Sequence, residues 1–137
     1  MDSLDTNLLV RFYTDDDPAQ ADLAEALLSR GEPLFVATSV VMELVWVLQA
    51  TVYRLPRVRI VAILRHLLAV PGVHVEREGV VTSAVGAYER GLDFADALQL
   101  AASEHCERLL TFDRPFANRA RRLRLEPPCA VPGAQRE

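Results

Sequence analysis

Acidic residues stand at four places where composition alone would not put them. Asp5 follows the first strand-like residues, and Asp113 follows the apolar run Arg108–Thr111. Asp93 and Asp96 flank the apolar pair Phe94-Ala95 at the start of a helical stretch. Glu43 is the only charged residue between Glu32 and Arg54, inside a segment otherwise fit for burial. An unpaired carboxylate in an apolar site costs several kcal/mol, so Glu43 is expected to find a partner from elsewhere in the fold. The other acids have a plainer reading. Asp5, Asp113 and Asp93 suit helix N-caps, with Asp96 a first-turn acid facing the helix dipole.

Taken together, the positions point to one site. Carboxylates gathered at one edge repel each other and stay ionised around a hard cation. Mg²⁺ or Mn²⁺, as one or two ions, suits an all-oxygen set. Zinc would call for His or Cys, and His66, His74, His105, Cys106 and Cys129 show no ligand spacing. Such a site activates water and steadies a leaving oxygen in attack on a phosphodiester. A phosphatase with a nucleophilic Asp is the poorer fit: Asp5 is followed two residues later by Asn7, and the chain has no lysine.

The elements that must position these acids follow from Pro and Gly punctuation. Asp17-Pro18 opens a helix carrying Leu23, Leu27 and Leu28 that Gly31 ends. Leu34–Ala37 reads as a buried strand, and Thr38-Ser39 as the cap of a helix to about Ala50. A helix from Pro56 to the Pro71-Gly72 break, a strand at Val73–Val75 and a helix closed by Gly91 come next. A helix from Asp93, a strand over Arg108–Thr111 and a helix from Pro115 follow, with Leu123-Arg124-Leu125 as a last edge strand. Short apolar strands alternating with helices predict an α/β domain with a parallel sheet covered on both faces. In such sheets sites form at the carboxyl ends of strands. Asp5 and Asp113 are expected at those ends, with Glu43 and Asp96 near the starts of helices leaving that edge.

The chain has 137 residues, half hydrophobic and a quarter charged, which suits one domain over residues 1–126 and a disordered tail over 127–137. The longest apolar stretch, Pro33–Tyr53, is broken by Glu43 and Gln49, so no membrane span is expected. Two cysteines make no disulfide framework and, with no signal peptide expected, suit a reducing, cytoplasmic setting. The net charge of −4 argues against a broad basic surface, but all fifteen basic residues are arginine, which matches phosphate geometry better than lysine.

Four blocks carry a resemblance: LDTNLLVRFYTDDDPAQADLAEALL, TSVVMELVWVL, GLDFADALQLAAS and LLTFDRPF. In this order they resemble the signature blocks of PIN domains, most closely the VapC-type toxins of prokaryotic toxin–antitoxin pairs, over roughly residues 3–126. The resemblance implies a three-layer α/β/α sandwich with a central parallel sheet of four or five strands. It implies a Mg²⁺- or Mn²⁺-dependent endoribonuclease, held inactive by a small VapB-like antitoxin and forming a homodimer. Its products would carry a 5′-phosphate and a 3′-hydroxyl. By position, Asp5, Glu43, Asp96 and Asp113 match the metal-binding acids and Asp93 a further acid. Asn7 matches a polar residue that holds Asp5 by hydrogen bonding, and Thr111 a hydroxyl that contacts metal water or phosphate.

Around these acids, Arg114, Arg119, Arg121, Arg122 and Arg124 form the densest basic stretch, suited to RNA phosphates or to a solvated helix face. Arg11 is placed to line the same groove. Val41, Val45, Trp46 and Leu48 present more apolar surface than one core contact needs, so part of that stripe is expected to meet an antitoxin or a second copy. The alternative to a nuclease is a catalytically silent PIN-like module that binds RNA or protein.

Overall fold

A computed structural model describes residues 1–133. The chain groups into two compact units, Met1–Thr82 and Ser83–Glu137. In the first, β1 (Asp2–Ser3), β2 (Leu34–Val36) and β3 (Val73–Val75) form a parallel sheet in that order. Asp2 pairs with Leu34, and Leu34, Phe35 and Val36 pair with Val73, His74 and Val75. Period-two alternation is plain in β3, where Val73 and Val75 are buried and His74 is exposed.

Parallel neighbours need crossovers, and helices supply them. The chain leaves β1 through α1 (Thr6–Tyr13) and α2 (Pro18–Leu28), and leaves β2 through α3 (Thr38–Gln49) and α4 (Arg57–Ala69). Helix α1 packs on α2 and α3, and α4 on β3. Leu9, Val36, Leu44, Leu48, Ile60 and Leu64 are at most 1 % exposed and make the centre of this core. The turn into β3 depends on Gly72: at φ 87° a Cβ would lie 2.6 Å from the Glu32 carbonyl oxygen.

Helix α5 (Glu78–Glu89) leads into the second unit, which adds α6 (Phe94–Ala102), β4 (Leu109–Leu110), α7 (Arg114–Arg122) and β5 (Cys129–Ala130). Strands β4 and β5 are parallel, with Leu109 opposite Cys129. Tyr88 and Phe94 meet edge to face at 5.6 Å in a core completed by Leu92, Leu100 and Phe116. Helix α7 is sharply two-sided. Phe116, Ala117 and Ala120 are buried, while Arg114, Arg119, Arg121 and Arg122 are exposed. Within each sheet the strands are parallel, as expected for an α/β sandwich, but among the described residues they form a sheet of three and a pair rather than one sheet of four or five.

Several local expectations are corrected. Leu123-Arg124-Leu125 is a helix end and not a strand. The Arg124 N–H donates to the Arg121 carbonyl and the Leu125 N–H to that of Ala120, both at 3.0 Å, with Arg124 left-handed at φ 57°. That is the Schellman arrangement, which consumes carbonyls the helix would otherwise leave unpaired. The edge strand comes later, inside the stretch expected to be a disordered tail. There Leu109 N–H donates to Pro128 O at 2.9 Å and Thr111 N–H to Ala130 O at 3.0 Å, and Cys129 is 5 % exposed. Residues 134–137 of that expected tail lie outside the described residues. Thr38-Ser39 does not cap α3: the Thr38 N–H and hydroxyl go instead to Oε1 and the carbonyl of Glu76, at 2.8 and 3.0 Å. Leu23, expected in the apolar stripe of α2, is 72 % exposed, whereas Ala24 and Leu28 are buried. Cys106 and Cys129 are both free, and no helix of the described residues is long and apolar enough to cross a membrane.

Candidate active site

In the first unit, Asp5 ends the extended segment after β1 and is the N-cap of α1. Its Oδ1 accepts the Leu8 N–H at 3.0 Å. Asn7, expected to hold Asp5, does not bond to it among the described residues; the Leu8 amide does that work, and Asn7 is exposed beside it. Glu43 sits on α3, and its Oε1 accepts the Thr6 hydroxyl at 2.5 Å. Buried Thr6, the residue next to Asp5, thus ties Glu43 to the start of α1. Glu43 itself is exposed, so the premise that it lies buried in apolar surroundings is overturned. A helix this apolar still shows one face to solvent, and Glu43 is on it with Met42 and Trp46. Val41, Val45 and Leu48 are core residues at 1, 2 and 0 % exposure, so the unpartnered part of the stripe reduces to Trp46, 71 % exposed, and Met42.

The second unit gathers three acids at the starts of α6 and α7. Asp93 is the N-cap of α6, its Oδ2 accepting the Asp96 N–H at 3.3 Å. Asp113 is the N-cap of α7, its Oδ1 accepting the Phe116 N–H at 3.0 Å. Its own N–H donates to the Thr111 hydroxyl oxygen at 3.0 Å, so Thr111 fixes the turn that presents Asp113. Half-buried Asp96 is held above the usual carboxylate range. Desolvation is the main cause, and the charges of Asp93 and Asp113 add to it, against a partial offset from Arg119. Arg119 Nη1 also donates to the Gly91 carbonyl at 3.3 Å, and Arg114 begins α7 beside Asp113.

The caps and the acid cluster are not rival readings. Each cap uses one carboxylate oxygen of Asp5, Asp93 or Asp113, and a carboxylate has two. No group of three or more His, Cys, Asp or Glu side chains among the described residues is arranged to hold an ion. The donor chemistry nonetheless fits a hard divalent cation. The donors are carboxylate oxygens, and in Asp96 the charged form is disfavoured first by desolvation and then by Asp93 and Asp113. Sequence reasoning passed over Thr6 and Asp16. Thr6 lies within the opening block, so its nearness to Asp5 was a usable signal. Asp16 accepts from Arg11, Thr14 and Tyr53, the last of them distant in sequence, and nothing local marks it out.

Parallel strands, crossover helices and acids at strand-to-helix turns define an α/β protein built to present carboxylates. The chain belongs to the PIN domain family, which it matches over residues 3–122. PIN domains are generally nucleases and typically use divalent metals. No curated protein matches the chain.

Proposed function

We propose that this chain is a Mg²⁺- or Mn²⁺-dependent endoribonuclease, the VapC-type toxin of a type II toxin–antitoxin pair. The observation that carries the reading is the PIN-domain match together with three acids at the starts of α6 and α7, where Asp93 accepts the Asp96 N–H and Asp113 the Phe116 N–H. In this reading Asp96, Asp113 and Asp93 bind one or two ions, and Asp5 and Glu43 are metal-binding acids as well. When bound, the cation supplies Lewis acidity for a water nucleophile and neutralises the charge that develops on phosphate. The chain's residues supply aim. Thr111 and the Phe116 amide hold Asp113, the Asp96 amide holds Asp93, and Thr6 holds Glu43. Water attacks phosphorus in line, the P–O3′ bond breaks, and the 3′ oxygen takes a proton. The products are a 5′-phosphate and a 3′-hydroxyl. Arg114 and the exposed arginines of α7 meet the phosphates of the RNA.

A small VapB-like antitoxin restrains the enzyme, and the active form is a homodimer, with Trp46 and Met42 of α3 as apolar contact residues. The second reading, a catalytically silent binding module, draws support from the caps: Asp5, Asp93 and Asp113 each have a structural use without any ion. Purified protein incubated with a total-RNA pool and Mn²⁺ decides between them. Discrete cuts that vanish with chelator and in Asp96→Asn support the nuclease. Intact RNA at every metal concentration, from folded protein free of antitoxin, overturns it in favour of the binding module.

A further inference from the structure

Arg11 lies on α1 and lines a cavity of about 390 Å³ between α1 and α2 together with Asp5, Asn7, Leu23, Leu27 and Arg30. Its guanidinium is fixed from two sides. Nη1 donates to both oxygens of Asp16 at 3.2 Å, and Nε donates to Gln20 Oε1 at 2.8 Å. Asp16 is itself braced: it accepts the Thr14 hydroxyl at 2.9 Å and the hydroxyl of Tyr53, which comes from the turn after α3. An isolated surface ion pair would not need such bracing, and most such pairs contribute little to stability. What the bracing achieves is direction. Among the described residues these bonds occupy Nε and Nη1 and leave Nη2 with none.

A planar guanidinium held this way is a preformed half of a phosphate fork. The rest of the cavity suits a nucleotide chain. Leu23 and Leu27 offer an apolar wall, with Leu23 left 72 % exposed, and Arg30, paired with Glu32 at 3.8 Å, also lines the cavity. We propose that Arg11 grips a phosphate of the RNA strand lying against Asp5, and that Asp16, braced by Tyr53, is the positioning residue that aims it. This rests on RNA being the substrate, as proposed above.

The test uses the full chain, with a short fluorescein-labelled single-stranded RNA whose anisotropy is followed at several salt concentrations in the uncut Asp96→Asn background. Arg11→Gln is expected to weaken binding about tenfold and to lower the salt slope by about 0.7, one phosphate contact on a single strand. Arg11→Lys should recover the slope but not the full affinity, because charge survives and the fork does not. Tyr53→Phe keeps the Arg11–Asp16 pair and removes only the brace. It should raise KM for cleavage about threefold with kcat unchanged, which a purely structural Tyr53 would not do. Should Arg11→Gln fail to fold, Arg11→Lys and Tyr53→Phe carry the test. An unchanged salt slope in folded Arg11→Gln, or an unchanged KM in Tyr53→Phe, overturns the proposal while leaving the ribonuclease intact. RNA bound with the Arg11-dependent slope but never cut by the wild type overturns the ribonuclease and supports the phosphate grip. No RNA binding at all overturns both.

Discussion

Asp16 in the first unit and Asp96 in the second are both aspartates beside helix starts, yet their carboxyls move in opposite directions. The Tyr53 and Thr14 hydrogen bonds, with the charge of Arg11, hold Asp16 below the usual carboxylate range. Burial and the charges of Asp93 and Asp113 push Asp96 above it. The protein has supplied Asp16 with donors and has supplied Asp96 mainly with other acids. An acid satisfied by its own chain positions something, as Asp16 does Arg11. An acid that is desolvated and has other acids for neighbours is left short of positive charge, which is what the proposed cation would supply.

The sharpest way to break that contrast is Asp96→Asn. Cleavage should fall by more than the about 10–100-fold that losing an outer-shell partner costs a metal site. The same change should raise the melting temperature of the metal-free protein, because it removes a charge the fold disfavours. The sign follows from linkage. A carboxyl whose folded pKa is raised favours the fold while protonated, and that support is lost as pH rises through the folded value. In chelator, the wild type should therefore lose stability relative to Asp96→Asn from about pH 4 upward. Adding Mn²⁺ at about 100 times its Kd should return about 2.7 kcal/mol to the wild type and less to the variant. A melting curve that ignores both pH and Mn²⁺ would show that the two aspartates do not differ as argued.

The second contrast concerns the end of the chain. Ending the protein at Glu126 removes β5, its pairing with β4, the bonds from the Leu109 and Thr111 N–H groups and the burial of Cys129. The expected loss is about 2–4 kcal/mol, read as a lowered melting temperature, with the nuclease activity falling in step. A disordered tail would leave both unchanged.

Strong local signals carried most of the fold. Asp17-Pro18 begins α2 as its cap and first-turn chemistry require, and apolar alternation in Val73-His74-Val75 places β3. What composition misled on was decided by partners distant in sequence. Cys129-Ala130 looks like tail because Pro and Gly surround it, and it is a strand because β4 has an open edge to pair. Leu123-Arg124-Leu125 has strand-like alternation, but the carbonyls at the end of α7 claim its N–H groups first. The candidate acids were legible as residues, since each stands at an element boundary or alone in an apolar run. Their environments were not. Glu43 proved exposed, and its Thr6 partner and the Tyr53–Asp16 contact both join residues 37 apart in sequence.

The smallest expected effect separates the two uses of Asp5. Asn caps helices about as well as Asp, whereas Ala costs about 1 kcal/mol. Asp5→Asn should therefore leave the unfolding free energy within a few tenths of a kcal/mol of the wild type, because an amide oxygen still accepts the Leu8 N–H. Asp5→Ala should lower it by the full cap. If Asp5 also binds a cation, both variants lose cleavage alike, because Asn keeps the cap and gives up the charge. Equal activity in Asp5→Asn and wild type would mean that the cap is the whole of its role. The same pair of substitutions at Asp113, whose cap is the Phe116 amide, applies the comparison to the second unit. There the like-charge pressure on Asp96 should fall in both variants, and the dependence of stability on pH should flatten with it.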